Sequence, residues 1–272
     1  MDTLNIIVFT VALAFGLAQH LLDRDQPVLT TSAPRWWTNG VLFIAETAIV
    51  TIFAAAITWA TQFDATTVIT PFATNGQPLL AQIAILLIVY GFVQYWVHRG
   101  GHRIPLLWGW HRIHHSDTRL DATTGLRHHP FESLVEYVAF FGTILLLAPS
   151  AGGVLGYFVL SIAFAMFTHF PPYWLPARLD KRLSVLFMTP RLHQLHHSTW
   201  QPETDTNYGI ILTIWDRLFG TYLAAPNQLR PGFALGLDEF PVAKAQDPFL
   251  QLASPFLAFD QRDKGSGLEG KG

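Results

Sequence analysis

Eight of the chain's twelve histidines fall in three short runs: His98 with His102, His111 with His114 and His115, and His193 with His196 and His197. The spacings are HxxxH, HxxHH and HxxHH. On a helix, residues three or four apart share a face, so each run aims two or three imidazoles at one point. Imidazole is a standard ligand for iron, copper and zinc. A solvated helix face gains nothing from repeating the same spacing, so the pattern reads as metal ligation. Eight donors exceed the three or four that one zinc ion takes, and suit two ions. His129, in RHHPFE, and His169, at the end of an apolar run, have suggestive settings and bring the donors to ten. Each ion then has about five ligands and one open position, a catalytic rather than a structural arrangement.

An all-imidazole shell is neutral, so two divalent ions need negative charge behind the rings. Carboxylates that accept the outer ring N–H supply it and fix the tautomer. Asp117, Asp121, Glu132, Glu203, Asp205 and Asp216 lie near the runs, and Glu132, Asp205 and Asp216 are the leading candidates for that role; Asp216 could equally pair with Arg217. Two iron ions fit the pattern because open positions beside two redox metals allow O2 to be reduced. Zinc fits the same ligands but brings no redox chemistry. The chain has no cysteine, so its own thiolates cannot hold an iron–sulfur or rubredoxin-type centre, and electrons must come from a separate donor.

The elements that position these residues are apolar. Of 272 residues, 50% are hydrophobic and 13% charged, against roughly 25% charged in soluble domains, so an integral membrane protein is expected. Five stretches qualify as spans: about 4–22, 40–62, 79–97, 132–148 and 153–170. The last two are shorter than the roughly 20 residues a bilayer core asks for, which leaves four or five crossings. Arg24 and Arg35, then Arg99 to Arg127, then Arg178 to Arg217 fall on one side, while 1–3, 63–78 and 149–152 contain no Lys or Arg. The positive-inside rule therefore puts the histidines on the cytoplasmic face. The expected fold is all-α: a multi-pass bundle under a cytosolic helical cap (98–130 and 171–260) that holds a dimetal site, in one domain over 1–264. Residues 265–272, within GSGLEGKG, read as a tag or linker remnant. The net charge of −2 gives no reason to expect a nucleic-acid partner. Tyr95, Trp96, Trp108, Tyr173 and their aromatic neighbours read as an interfacial belt.

HRGGHRIPLLWGWHRIHHSD, GLRHHPFESL, and FMTPRLHQLHHS with TDTNYG and WDRLFGTY together resemble the fatty acid hydroxylase and sterol desaturase superfamily over roughly residues 35–258. The resemblance implies a membrane-bound non-heme di-iron enzyme that uses O2 and external electrons to hydroxylate or desaturate a lipidic substrate such as a sterol or fatty acyl chain. It maps the ligand runs to the eight clustered histidines, an HPxE element to His129 with Glu132, and a late-hairpin histidine to His169. Phe170, Pro171 and Pro172 depart from the pattern that follows that histidine in many relatives. His128 falls off the HPxE register, which places it at the surface or behind a ligand; His20 stands apart from every run. Asn207 and Tyr208 could support the site or simply form a turn. The implied partners are a lipid from the bilayer, O2, and a ferredoxin, rubredoxin or cytochrome b5 type donor. The competing class is metal handling without catalysis, as a transporter, a sensor or a zinc-bound relative, and it would place polar ligands at mid-membrane depth.

Overall fold

The computed structural model describes Thr10, Ala14 and residues 28–61, 70–226, 228–237 and 240–257. The expected first span, about 4–22, and His20 lie outside the described residues. Eleven α-helices follow in chain order: α1 (Val28–Thr61), α2 (Leu79–Arg103), α3 (Pro105–His115), α4 (Pro130–Leu147), α5 (Ala151–Thr168), α6 (Ala177–Leu183), α7 (Pro190–His196), α8 (Gln201–Thr204), α9 (Ile214–Leu218), α10 (Val242–Ala245) and α11 (Pro248–Ala253). Among the described residues there are isolated bridges but no strand, so the all-α class expected from the sequence is the one observed.

Among the described residues, four helices are long and apolar enough to cross a membrane: α1 over Ala33–Ala56, and α2, α4 and α5 over their whole lengths. At 1.5 Å per residue, the 18 residues of α4 and of α5 reach about 27 Å, just under a bilayer core of about 30 Å. Their hairpin is closed by Ala148 in the left-handed region (φ 37°) and by Ser150, whose side chain caps the Gly153 N–H. Buried Gln82 of α2 locks it: its carbonyl accepts from Ser150 N and Oγ, each at 2.8 Å. Leu86, Tyr90, Phe140, Leu147 and Tyr157 form the bundle core.

The sequence ends the third span before His98. Instead α2 continues unbroken to Arg103, so His98 and His102 ride on the last turns of a spanning helix. Ile104 then adopts an extended conformation and Pro105 starts α3, because a proline is tolerated in a helix's first turn but restricts the residue before it. The chain turns back there and lays α3 under the end of α2.

Several cap-side arginines are structural rather than solvated. Arg35 of α1 donates to Asp117 Oδ2 at 2.9 Å and to Arg119 O at 3.0 Å, and pairs with Asp121. Fully buried Arg127 donates to Ile113 O, Asn39 Oδ1, Ser116 Oγ and Ala245 O at 2.6 to 2.8 Å. Arg112 donates to Ser254 O at 2.7 Å. Three guanidiniums thus tie the start of α1, the end of α3 and the C-terminal segment 245–254 together around the histidine layer.

Candidate metal centre

Nine histidines converge in two buried groups, each able to hold a metal ion. His98, His102, His111, His115 and His196 form one; His114, His169, His193 and His197 form the other, and within each group one ring nitrogen from every residue lies within 4.8 Å of the rest. The i, i+4 pair on α2 and His111 with His115 on α3 supply four of the first group's five histidines. The second HxxHH run splits on α7, with His196 joining the first group and His193 and His197 the second. The first run splits likewise, with His114 crossing to the second group. Helices α3 and α7 therefore each serve both groups, and stacked rings such as His115 on His197, 4.4 Å between centroids, hold them side by side.

The outer nitrogens settle the tautomers. His98 Nδ1 donates to Tyr208 O at 2.7 Å, His114 Nδ1 to Arg127 O at 3.2 Å, His169 Nδ1 to Ala165 O at 2.5 Å and His196 Nδ1 to Thr206 O at 2.8 Å. His111 Nδ1 donates to Glu132 Oε1 at 2.6 Å, and Asp205 Oδ1 lies 3.4 Å from His102 Nδ1. Carbonyl and carboxylate oxygens only accept, so these Nδ1 atoms carry the hydrogens and each neutral ring keeps its lone pair on Nε2. The Nε2 atoms of both groups face one another: His111 Nε2 is 3.1 Å from the Nε2 of His98, His102 and His115, and His169 Nε2 lies 2.9 to 3.3 Å from those of His114, His193 and His197. Where both lone pairs are fixed on Nε2, as in His98 with His111 and His114 with His169, they repel unless a cation lies between them. The spacing fits one, since ligands about 2.1 Å from an ion stand about 3.0 Å apart along an octahedral edge. Five donors also exceed a tetrahedral shell. The residues therefore fit a pair of metal ions on the chemistry of the donor set alone.

Burial favours the neutral form of imidazole, the form a metal ligand must take. It lowers His114, His115, His193, His196 and His197 well below the usual histidine range, and the neighbouring rings lower them further. His169 is lowered by burial to about 4 although the Ala165 carbonyl opposes it.

His129 does not join either group. Its Nδ1 accepts from Phe131 N at 3.2 Å as the cap of α4, and its Nε2 donates to Leu252 O at 3.2 Å. With one nitrogen donating and the other accepting along the chain, no lone pair is left for an ion. The HPxE run therefore serves the site through Glu132, one turn on, while His129 starts the helix that carries it. His128, the neighbour, stacks on His114 with centroids 4.7 Å apart and planes 9° apart, and its Nδ1 lies 3.6 Å from Glu46 Oε2. Asp216 touches no ring. It accepts from Tyr208 N, Gly209 N and Thr221 Oγ1 at 2.7 to 2.8 Å, and so fixes the loop whose Tyr208 carbonyl orients His98. Asn207, at φ 54°, closes that loop by bonding Leu192 O and Leu223. Four of the six outer partners are backbone carbonyls, which no residue-type signal reveals. Glu203 accepts from Ser198 Oγ and Arg230, and Asp117 and Asp121 serve Arg35.

Both groups open on a cavity of about 660 Å³ inside the bundle. His98, His111, His114, His169 and His193 line its inner end, and Val154 and Phe158 of α5 lie toward the other. From His169 to Val154 is 15 residues, about 22 Å of helix. The walls are mostly apolar, with Glu46, bonded by Ser133 Oγ at 2.7 Å, and Glu136, bonded by Tyr90 OH at 2.8 Å, as polar points.

Residues 83–221 match the family model described as fatty acid hydroxylase. The chain is 30% identical over 264 residues to ornithine lipid hydroxylase OlsE of Rhizobium tropici, covering 93% of this chain and 75% of that one. It is 30% identical over 163 residues to alkylglycerol monooxygenase of Danio rerio, covering 59% of this chain and 34% of the relative, and 29% identical over 160 residues to very-long-chain aldehyde decarbonylase GL1-4 of Oryza sativa, covering 55% and 25%. Against these last two it spans about a third or less of the relative's length. No solved structure matches the chain.

Proposed function

The chain belongs to the fatty acid hydroxylase family, and from that premise we propose that it is a membrane-bound di-iron monooxygenase that hydroxylates a lipid held in the cavity beneath its two imidazole groups. The single observation that carries this reading is the set of facing imidazole Nε2 atoms at 2.9 to 3.3 Å, opening on a largely apolar cavity within the membrane-spanning helices. The alkylglycerol monooxygenases and the ornithine lipid hydroxylase bear names for oxygen insertion into lipids, which favours hydroxylation over desaturation.

His98, His102, His111, His115 and His196 would hold one iron, and His114, His169, His193 and His197 the other. Bound there, iron would supply the reduction of O2 and the attack on a C–H bond. The protein's share is positional. Glu132 and Asp205 place negative charge behind His111 and His102, raising their basicity. The carbonyls of Thr206, Tyr208, Arg127 and Ala165 orient the other rings without adding charge. The four-imidazole group has fewer ligands, and its His193 and His197 have no Nδ1 partner among the described residues. It is the more open position. The apolar walls admit an alkyl chain from the bilayer and keep bulk water from the site, while Glu46 and Glu136 offer hydrogen-bond acceptors to a polar group on the lipid. Electrons come from a separate ferredoxin, rubredoxin or cytochrome b5 type donor, and the segregation of Lys and Arg supports a cytoplasmic face for the site.

The test is to express the chain under 18O2 and compare lipid extracts with those from a His114→Ala strain by mass spectrometry. A lipid gaining one labelled oxygen only with the intact chain supports the proposal. Equal products in both strains would overturn it.

A further inference from the structure

The surface of α6, residues 184–187 and α9 combines two properties that seldom share one exposed patch. Val185 is 64% exposed and Leu218 66%, with Leu186 and Ile214 exposed beside them. Flanking these are Arg178, Lys181, Arg182 and Arg217, all exposed, and none makes an ion pair among the described residues. Asp247 is the single exposed acidic residue among the described ones. The patch is one unit: Thr213 N donates to Leu186 O at 2.9 Å, and Arg217 Nη2 donates to Ser184 O at 2.9 Å.

Its depth is fixed by α2. Phe92 and Trp96, exposed on that spanning helix, pack on α9 and the residue after it: Phe92 lies 5.0 Å from Trp215 and Trp96 lies 5.0 Å from Phe219, centroid to centroid. Trp96 is seven residues from the end of α2, about 10 Å. Trp215 and Phe219 of this surface thus pack on exposed side chains of a spanning helix near its end, and Leu218, between Phe219 and Arg217, joins that contact to the cations. A soluble acidic protein reaches the cations but not an apolar face at that depth.

We propose that residues 184–187 and α9 form a wedge seated in the leaflet beside the histidine layer, with Arg178, Lys181, Arg182 and Arg217 bound to anionic phospholipid headgroups. Apolar insertion with cations at the headgroup level is how in-plane elements bind membranes, and anionic lipid strengthens it. The wedge backs directly onto the site, because α9 carries Asp216, which fixes the Tyr208 carbonyl against His98.

The absence of cysteine makes the test direct. Full-length Val185→Cys, Leu218→Cys and Lys244→Cys variants, each nitroxide-labelled and placed in phosphatidylcholine vesicles with and without phosphatidylglycerol, are compared by electron paramagnetic resonance power saturation. Residues 185 and 218 should show an oxygen-to-nickel-chelate accessibility ratio severalfold above that of 244. Equal ratios at all three would overturn the wedge and leave a surface for a soluble acidic partner. Phosphatidylglycerol should raise the thermal midpoint of the unmodified chain, and a Lys181→Gln, Arg182→Gln, Arg217→Gln variant should lose that rise. A rise kept in full by the triple variant would overturn the headgroup assignment. Should the triple variant fail to fold, the labelled single variants decide.

Discussion

Replacing Glu132 with glutamine should weaken one metal position and spare the other. His111 is the middle ring of the five-imidazole group, its Nε2 being 3.1 Å from three others, and Glu132 Oε1 accepts its Nδ1 hydrogen at 2.6 Å. Losing a partner behind a ligand typically costs 10–100-fold in metal affinity, or about 1.4–2.7 kcal/mol. The effect should fall near the upper end, because the other carboxylate, Asp205, stands farther off at 3.4 Å. The helix itself should persist: His129 and Pro130 start α4, and Glu132 adds to it only the roughly 0.3–1 kcal/mol of a charge in the first turn. Chelator titration followed by elemental analysis reads the result in two backgrounds. With His193→Ala, which leaves the five-imidazole group as the main site, Glu132→Gln should lower the chelator concentration needed for release by about 100-fold. With His98→Ala it should change release little. Equal effects in both backgrounds would refute the division into two groups with separate support.

Other consequences follow from individual contacts. His129→Ala should keep full metal content while losing about 1 kcal/mol of stability as a helix cap, read by elemental analysis and thermal unfolding; loss of an ion would return His129 to the ligand set. Gly125→Ala should disturb the four-imidazole group, because its Cβ would lie 2.5 Å from Ala165 O and 3.2 Å from His169 Nδ1; metal content should fall toward one ion per chain. Arg35→Leu leaves Asp117 buried against fewer cations. Burial pushes that carboxyl up, yet Arg35 and Arg127 together hold it below its usual range, so removing one should destabilise the cap by about 3–5 kcal/mol in chemical denaturation. Val154→Phe should narrow the far end of the cavity and reduce turnover of long-chain lipids more than short ones, as seen in product profiles.

The spacing of the clustered histidines makes much of the site legible without coordinates, because i, i+3 and i, i+4 positions share a helix face whatever the tertiary fold. How those imidazoles divide between two ions is not legible. The division depends on α3 and α7 meeting so that each HxxHH run straddles both positions, a matter of packing rather than pattern. His129 shows the limit of motif reading: its neighbours match, but a residue before proline at a helix start spends its ring on capping. Asp216 shows another, since its effect on His98 passes through a backbone carbonyl. Hydropathy marks out helices α1, α2, α4 and α5 as spans, yet it does not distinguish a cap-side arginine in headgroups from Arg127, buried among carbonyls at the core of the cap.

Whether the two imidazole groups hold a redox-active iron pair is decided by metal analysis with Mössbauer spectroscopy on iron-57-enriched, detergent-purified protein before and after reduction and exposure to O2. About two irons per chain should be found, magnetically coupled when oxidised and reoxidised by O2 after reduction. A stable zinc complement that iron cannot replace would contradict the di-iron reading.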